Sequence, residues 1–411
     1  MEPKNIPKSM MEGESPRLLP NNIKCPPGSV LIKRTTKEDL IMAKNMKALG
    51  LNHPKIQDWQ AISEEENLEM ERQLKVINKP PIKSFKTNYG DILDCIDIYQ
   101  QHAFDHPLLK DHKVQMEPKN IPKSMMEGEP PRLLPKNIKC PPGSVVIRRT
   151  TKEDLVMAKK MNALGLNHPP SSRFHTTAGA ATNLAFATVQ YGNHNFGAKT
   201  RMNVWAPSTL SGQYSVSGIW VANGPFQDLN VIEAGCGGDG HKTTGCYNYL
   251  CPGFVQVHRE ISLGLVLDHI SVYNGTQSDI EIGILKDGEW WLKYFNQFIG
   301  YWPQKLFLYM SGGANNVVWG GHVFSPVNQP SPPMGSGHFP KDGLQNKSAY
   351  FKDTQIWDNV HLIYPQPDQL VASSGRPNCY EAKLTSGIAP NPMDFYYGGP
   401  GQCNLTANNE V

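Results

Sequence analysis

From about residue 178 onward, the chain is a series of short apolar or alternating segments without the spacing of a helix. Each segment is bounded by Gly, Pro, Asn or Asp. Eight or more such segments are typical of an antiparallel β-sandwich, so we predict an all-β large domain of that architecture. The predicted strands are residues 184–190, 214–221, 253–257, 269–273, 280–285, 290–295, 317–324 and 355–364.

Two predicted strands, residues 229–236 (LNVIEAGC) and 317–323 (VVWGGHV), carry residues that are unusual in a sheet. Glu233 lies among apolar residues with no basic residue nearby in sequence. Such an acid is either paired by a distant group or kept for chemistry. Gly320 and Gly321 interrupt the other strand, which indicates that a second backbone or a ligand comes close. These strands are therefore the candidates for a functional site.

The front of the chain contains an internal repeat. Residues 1–54 recur at 116–169 with a handful of substitutions. Two near-identical copies without a third do not fit a solenoid, and a recent duplication or a mis-joined gene model fits better. Between the copies, residues 55–79 predict a helix that starts at a capping box, and residues 83–100 predict a β-hairpin. We therefore expect a small α+β region ahead of the sandwich.

The charge distribution argues against a nucleic-acid-binding protein. Residues 1–170 hold 27 Lys and Arg against 21 Asp and Glu, and residues 171–411 hold 13 against 16. The basic residues of the first part alternate with acidic ones and form no basic patch. No apolar run approaches the length of a membrane span, so we expect no membrane partner. No signal peptide is visible at the polar N-terminus either.

Ordered motifs along residues 60–405 carry a family resemblance. In the front region they are YGDILDCIDIY (89–99), AFDHPLL (103–109) and CPPGSVVIRRTTKEDL (140–155). In the large domain they are IEAG (232–235), TGCYNYLCPGFVQ (244–256), GEWWL (288–292), GYWP (300–303), VWGG (318–321), MGSGHFP (334–340) and YYGGPG (396–401). The chain resembles the plant neprosin family of secreted glutamic peptidases, preceded by its activation peptide.

The resemblance implies a precursor with three parts. Residues 1–54 would be a duplicated fragment of the pro-region, residues 55–170 the activation peptide, and residues 171–411 the catalytic-type β-sandwich. The family implies secretion, removal of the pro-region in acid, and cleavage of peptides next to proline. The family needs neither a cofactor nor a metal, and we expect this protein to be a monomer. A metal site at Cys236, His241, Cys246 and Cys251 is conceivable by ligand type but disfavoured.

This chain departs from the family at the catalytic pair. The family carries one glutamate on each of its two catalytic strands. Glu233 matches the first glutamate, but His322 replaces the second. The segment after Glu233 is also shorter than in the family, which implies that a strand of the sheet is missing. The hypotheses are a precursor with weak or no peptidase activity, an active acid peptidase with a Glu233/His322 pair, and a non-catalytic module for proline-rich or cell-wall ligands.

The resemblance also assigns structural and accessory residues. Trp319, Trp302 and Tyr396 are its candidates for the substrate groove. Disulfides would join Cys95 to Cys140, Cys246 to Cys251, and Cys379 to Cys403. Sequence alone leaves many other connectivities open for eight cysteines. Three Asn-x-Ser/Thr sequons, at Asn274, Asn346 and Asn404, are candidates for glycosylation.

Overall fold

The first described helix, α1, spans Glu64–Ile77 and is the helix predicted within residues 55–79. Three glutamates occupy its first turn and Lys75 lies in its last turn, which is the favourable arrangement for the helix dipole. The computed structural model of the chain describes residues 64–126, 138–156, 184–210, 212–237, 248–267, 269–326, 329–342, 346–385 and 394–403. The first copy of the repeat therefore lies outside the described residues.

A three-stranded antiparallel sheet follows α1, in the order β1-β2-β3. The predicted hairpin is confirmed as β1 (Lys83–Lys86) and β2 (Ile92–Asp97). The third strand, β3 (Ser144–Arg148), was not predicted because a proline-rich segment precedes it. The predicted Cys95–Cys140 disulfide joins β2 to the residues just before β3. Together with α1, this sheet forms the expected small α+β region.

The large domain is an antiparallel β-sandwich, as predicted. A nine-stranded sheet has the order β16-β17-β13-β5-β9-β10-β11-β8, with β14 attached to β13, and a five-stranded sheet has the order β15-β4-β12-β6-β7. The first half of the strands are β4 (Leu184–Tyr191), β5 (Gly197–Asn203), β6 (Tyr214–Asn223), β7 (Asn230–Gly237), β8 (Val255–Gln256), β9 (Asp279–Asp287) and β10 (Glu289–Tyr294). The second half are β11 (Gln297–Trp302), β12 (Asn316–Phe324), β13 (Ala349–Trp357), β14 (Leu362–Ile363), β15 (Leu370–Ser374), β16 (Glu381–Leu384) and β17 (Phe395–Gly398).

One predicted strand, residues 269–273, is wrong. Val272 is 55% exposed, and the N–H of Gly275 donates to its carbonyl oxygen, so the chain turns here. The backbone hydrogen bond from Ser271 to Val204 does not extend into a strand. The predicted segment 355–364 contains the end of β13 and the short strand β14, with a turn between them. An apolar segment forms a strand only where another strand is available to pair with it.

The inner faces of the two sheets enclose the main hydrophobic core. Trp319 and Ile219 of the five-stranded sheet pack in one cluster with Trp290, Ile284 and Phe351 of the nine-stranded sheet, and all are buried. Burial of apolar area on this scale is the dominant stabilising contribution in a sandwich.

The front region packs against the outer face of the nine-stranded sheet. Trp291, Tyr301 and Trp357 of that face share a buried cluster with Ala103 and Ile121 of the front region. This contact places the described front region on the opposite side of the sandwich from the outer face of the five-stranded sheet.

Polar contacts reinforce this packing. The buried side-chain amide of Gln101 makes two hydrogen bonds to the backbone of Gln256: its Nε2 donates to the carbonyl oxygen, and its Oε1 accepts from the N–H. Asn120 donates two hydrogen bonds of 2.7 Å to Asp287. No helix in the described ranges combines the length and the apolar character that a membrane crossing requires.

Candidate functional site

Glu233 and His322 lie on the same face of the five-stranded sheet. Side chains alternate between the two faces of a strand, and the strand register places Glu233 beside Trp220 and His322 beside Val216. Trp220 in turn lies beside Val318 of β12, so all five residues share one face. This outer face is turned away from the core between the sheets.

The two predicted catalytic residues do not contact each other directly. Glu233 belongs to β7 and His322 to β12, with β6 between them, and four residues along β12 separate His322 from Val318. In a flat sheet this register corresponds to roughly 16 Å between the Cα atoms of Glu233 and His322. Among the described residues, the ion pairs within 4.0 Å include none between them. A directly bonded Glu–His pair is therefore absent from this face.

Trp220 lies between the two residues on β6. It is the direct cross-strand neighbour of Glu233. Its ring meets the His322 ring edge-on, with centroids 5.4 Å apart and planes at 90°. Gly218 and Gly320 face each other in the row between Trp220 and His322, so no side chain blocks the indole from leaning toward His322.

His322 is enclosed by aromatic side chains. Besides Trp220, it meets the ring of Tyr214 edge-on at 5.2 Å, and Phe186 is its direct cross-strand neighbour on β4. His322 is only 7% exposed. This environment is that of a packed residue of an outer aromatic cluster, in which Tyr214 also stacks on Phe324 at 5.6 Å.

Burial dominates the electrostatics of Glu233. Desolvation raises the pKa of its carboxyl group to about 7, although the neighbouring Trp220 indole acts in the opposite direction. Glu233 as a whole is partly buried. A carboxyl group with this pKa is largely protonated in acid and can donate a proton there.

Glu233 is the only carboxylate on the outer face among the described residues of these five strands. The residues that share this face are Leu184, Phe186, Thr188, Gln190, Tyr214, Val216, Gly218, Trp220, Ala222, Val231, Gly235, Gly237, Asn316, Val318, Gly320, His322, Phe324, Val371 and Ser373. Water activation by a pair of carboxyl groups requires a second acid. The sheet itself does not supply one.

The three aromatic residues predicted for a groove lie elsewhere. Trp319 is offset from His322 by an odd number of residues, so it points into the core and is fully buried. Trp302 packs against Phe254 in the same core, with ring centroids 4.8 Å apart. Tyr396 belongs to the nine-stranded sheet, where it is the cross-strand neighbour of Tyr350. The structure brings none of them together with Glu233.

Trp220 is the site residue that the sequence analysis missed. It was assigned only to a strand, within residues 214–221. The alternation of Tyr214, Val216, Gly218 and Trp220 is a signal for one aromatic face, but the pairing of Trp220 with Glu233 depends on the register between β6 and β7.

The described cysteines agree with the predicted disulfides. Cys379 is bonded to Cys403, and Cys251 is disulfide-bonded, while its predicted partner Cys246 lies outside the described residues. Cys236 is a free thiol that packs against the inner core, and burial raises its pKa to about 12. The described residues contain no cluster of three or more His, Cys, Asp and Glu side chains that could hold a metal ion.

Two predicted glycosylation sites lie side by side on the surface. Asn274 and Asn346 are both exposed, and the N–H of Asn274 donates to the carbonyl oxygen of Asn346 at 2.8 Å. Both have positive φ angles, which are typical of turn tips. Asn404 lies outside the described residues.

Comparison with known families agrees with the motifs and with the fold. The Neprosin family model matches residues 211–400, which include β6, β7 and β12 and therefore Glu233, Trp220 and His322. The Neprosin activation peptide model matches residues 84–197, which include the three-stranded sheet and extend through β4. The chain thus carries an activation peptide followed by a neprosin domain, and it belongs to the neprosin family.

Proposed function

We propose that this chain is a secreted neprosin-type precursor whose peptidase activity is weak or absent. The observation that carries the proposal is that the described residues on this face of the sheet include no second carboxylate beside Glu233. By the family resemblance, His322 stands where the second glutamate would be. Two disulfides among the described residues and the exposed sequons Asn274 and Asn346 support secretion. The ligands we propose are proline-containing peptides or proline-rich proteins, as in the family.

The electrostatics of Glu233 support weak catalysis in acid. With a pKa of about 7, only about 1% of this carboxyl group is ionised at about pH 5. The protonated group can donate to a leaving amine, but it cannot activate a water molecule. An active acid peptidase would need His322 as its second catalytic group, but His322 is enclosed by aromatic rings and does not contact Glu233. Any residual turnover is therefore expected near neutral pH, where part of Glu233 is ionised.

Cleavage of a proline-containing fluorogenic peptide tests the proposal. The acid-treated full-length protein is assayed from about pH 2.5 to about pH 8, together with the variants Glu233→Gln and His322→Glu. The variant Glu69→Gln removes an exposed carboxylate on α1 and is the matched control. We expect little or no turnover by the native protein in acid.

The outcomes separate the three hypotheses. Substantial cleavage in acid that disappears in Glu233→Gln but persists in Glu69→Gln would refute the proposal and establish an active Glu/His peptidase. A gain of cleavage in His322→Glu would show that this single replacement silenced the domain. Binding of a proline-rich peptide by native protein, without turnover in any variant, would instead favour a non-catalytic binding module.

A further inference from the structure

A short part of the sandwich, residues 256–262, binds the open edge of β3 and is called the attachment segment below. Strand β3 is an edge strand of its three-stranded sheet, so its outward N–H groups need partners from outside that sheet. The N–H of Val146 donates to the carbonyl oxygen of His258 at 3.4 Å, and the N–H of Arg148 donates to the hydroxyl of Ser262 at 2.9 Å. The attachment segment therefore satisfies the edge that the front region presents to the sandwich.

The attachment segment also binds the disulfide-bonded residue ahead of β3. The N–H of Cys140 donates to the carbonyl oxygen of Arg259 at 3.2 Å, and Nε of Arg259 donates to the Cys140 carbonyl oxygen at 3.0 Å. Cys140 is bonded to Cys95 on β2, so these contacts reach a second strand of the front region. Glu260 adds an exposed ion pair with Lys139 at 2.7 Å.

The imidazole of His258 holds the turn within the attachment segment. Its Nδ1 atom accepts the backbone N–H groups of Glu260 at 3.1 Å and of Ile261 at 3.0 Å. A ring nitrogen that accepts carries no proton, so the single proton of the neutral ring lies on Nε2, which faces the side-chain oxygen of Gln297 at 3.4 Å. The turn therefore requires a neutral His258 in one tautomer.

Protonation of His258 is incompatible with this turn. A proton on Nδ1 would point at two N–H donors, so both hydrogen bonds would be lost. Burial lowers the pKa of the imidazole, the Gln297 contact and Glu260 act to raise it, and Lys139 acts to lower it. The neutral ring is thus favoured while the front region is attached.

We propose that His258 is a pH-sensitive switch for the attachment of the front region to the sandwich. In neutral solution its Nδ1 atom holds the turn that presents the carbonyl oxygens of His258 and Arg259 to the front region. In acid the protonated ring releases this turn, and the front region loosens. The inference goes beyond the proposed function, and its tests need no turnover, so the two claims fail independently.

Acid should favour the loosened state by a defined amount. An exposed histidine binds a proton near about pH 6.5, whereas His258 in the attached state binds one only at lower pH. Between these values the loosened state holds one more proton. Its population should therefore rise about tenfold for each pH unit of acidification.

Hydrogen exchange of the full-length protein, measured by mass spectrometry from about pH 7.5 to about pH 4.5, tests this expectation. The peptide that contains Val146 and Arg148 reports the attachment of β3, and a peptide of β12 is the internal reference. After correction for the intrinsic pH dependence of exchange, protection of the β3 peptide should fall about tenfold per pH unit below about pH 6.5. The β12 peptide should keep its protection.

The variant His258→Asn separates His258 from the other groups that titrate. An asparagine side-chain oxygen accepts backbone N–H groups in turns of this kind, but it does not bind a proton in this range. The β3 peptide of this variant should be protected at neutral pH and should lack the fall in acid. Asp287, Glu289 and His112 lie in other contacts of the front region and are present in both proteins, so their effects cancel.

The matched control is His106→Asn. The Nδ1 atom of His106 also accepts a backbone N–H, from Leu108 at 3.2 Å, but this contact lies within the front region. The control should behave as the native protein does. Constant protection of the native β3 peptide across the pH range, or an equal fall in His258→Asn, would overturn the proposal.

A second measurement does not depend on the folding of His258→Asn. In native protein labelled with ¹⁵N-histidine, the ring nitrogens of His258 should show the Nε2–H tautomer at neutral pH and a titration midpoint below about pH 6.5. An Nδ1–H tautomer, or a ring that is already protonated at neutral pH, would also overturn the proposal.

Discussion

Replacing Glu233 with glutamine should stabilise the protein at alkaline pH relative to acid pH. Glutamine keeps the size of the side chain and an oxygen that can accept a hydrogen bond, but it cannot ionise. In the native protein, burial raises the pKa of Glu233 from 4.5 to about 7. The substitution therefore removes one titration and little else.

The sign of the effect follows from proton binding. Between about pH 4.5 and about pH 7, unfolded Glu233 has lost its proton while folded Glu233 retains it. Stability of the native protein consequently falls as pH rises through this window, and the cost is fully present above it. A pKa difference of this size corresponds to about 3 kcal/mol, and the partial exposure of Glu233 reduces the expected cost to about 2 kcal/mol.

Urea denaturation of native protein and Glu233→Gln at several values between about pH 5 and about pH 8.5 measures this difference. The free energies of unfolding should be similar at the acid end, and the variant should be more stable by about 2 kcal/mol at the alkaline end. Comparing the two proteins at each pH cancels the titration of all other groups.

Glu281→Gln is the matched control with the opposite sign. Burial acts to raise the pKa of Glu281, but Lys293 and Lys199, at 2.8 and 3.2 Å, outweigh it and lower this pKa. Its contribution to stability is present above its unfolded pKa and is lost in acid, so Glu281→Gln should be destabilising at neutral pH. A pH-independent difference for Glu233→Gln, or one that favours the native protein at alkaline pH, would refute the assignment of Glu233 as a carboxylate destabilised by burial.

Three further predictions concern the packing of the domain. Gly320→Ala should destabilise the domain by about 1–3 kcal/mol in thermal unfolding, because Gly320 has a φ of +140° and an added Cβ would meet a carbonyl oxygen at 2.3 Å. The control variant Gly312→Ala has open space around the new Cβ and should be neutral. Cys236, with its pKa raised to about 12 by burial, should react with a thiol reagent at about pH 8 only after denaturation; rapid labelling of native protein would contradict its placement in the core. Asp287→Asn should weaken the packing of the front region against the sandwich by about 1–3 kcal/mol, because Asp287 accepts two hydrogen bonds from Asn120. Limited proteolysis should then release the front region faster from the variant than from the native protein.

The local pattern of the chain was sufficient to predict much of the fold. Short apolar segments bounded by turn residues predicted most of the strands, including β6, β9, β10 and β12, because alternation and turn chemistry are local properties. The same reasoning failed for residues 269–273, where no partner strand is available. It also did not anticipate β5, β15 and β16, whose pairing depends on distant strands.

The sequence by itself identified the two candidate catalytic residues: Glu233 in an apolar strand, and His322 after two glycines. Only the tertiary structure decided how they are related. Strand order puts β6 between them, and the register places Trp220 beside Glu233, from where its ring also contacts His322. Register also turned Trp319 into the core, because neighbouring residues of a strand face opposite sides of the sheet. The alternation of side chains along a strand can be predicted from the sequence. The pairing between strands cannot, because it is set by packing among residues that are far apart in the chain.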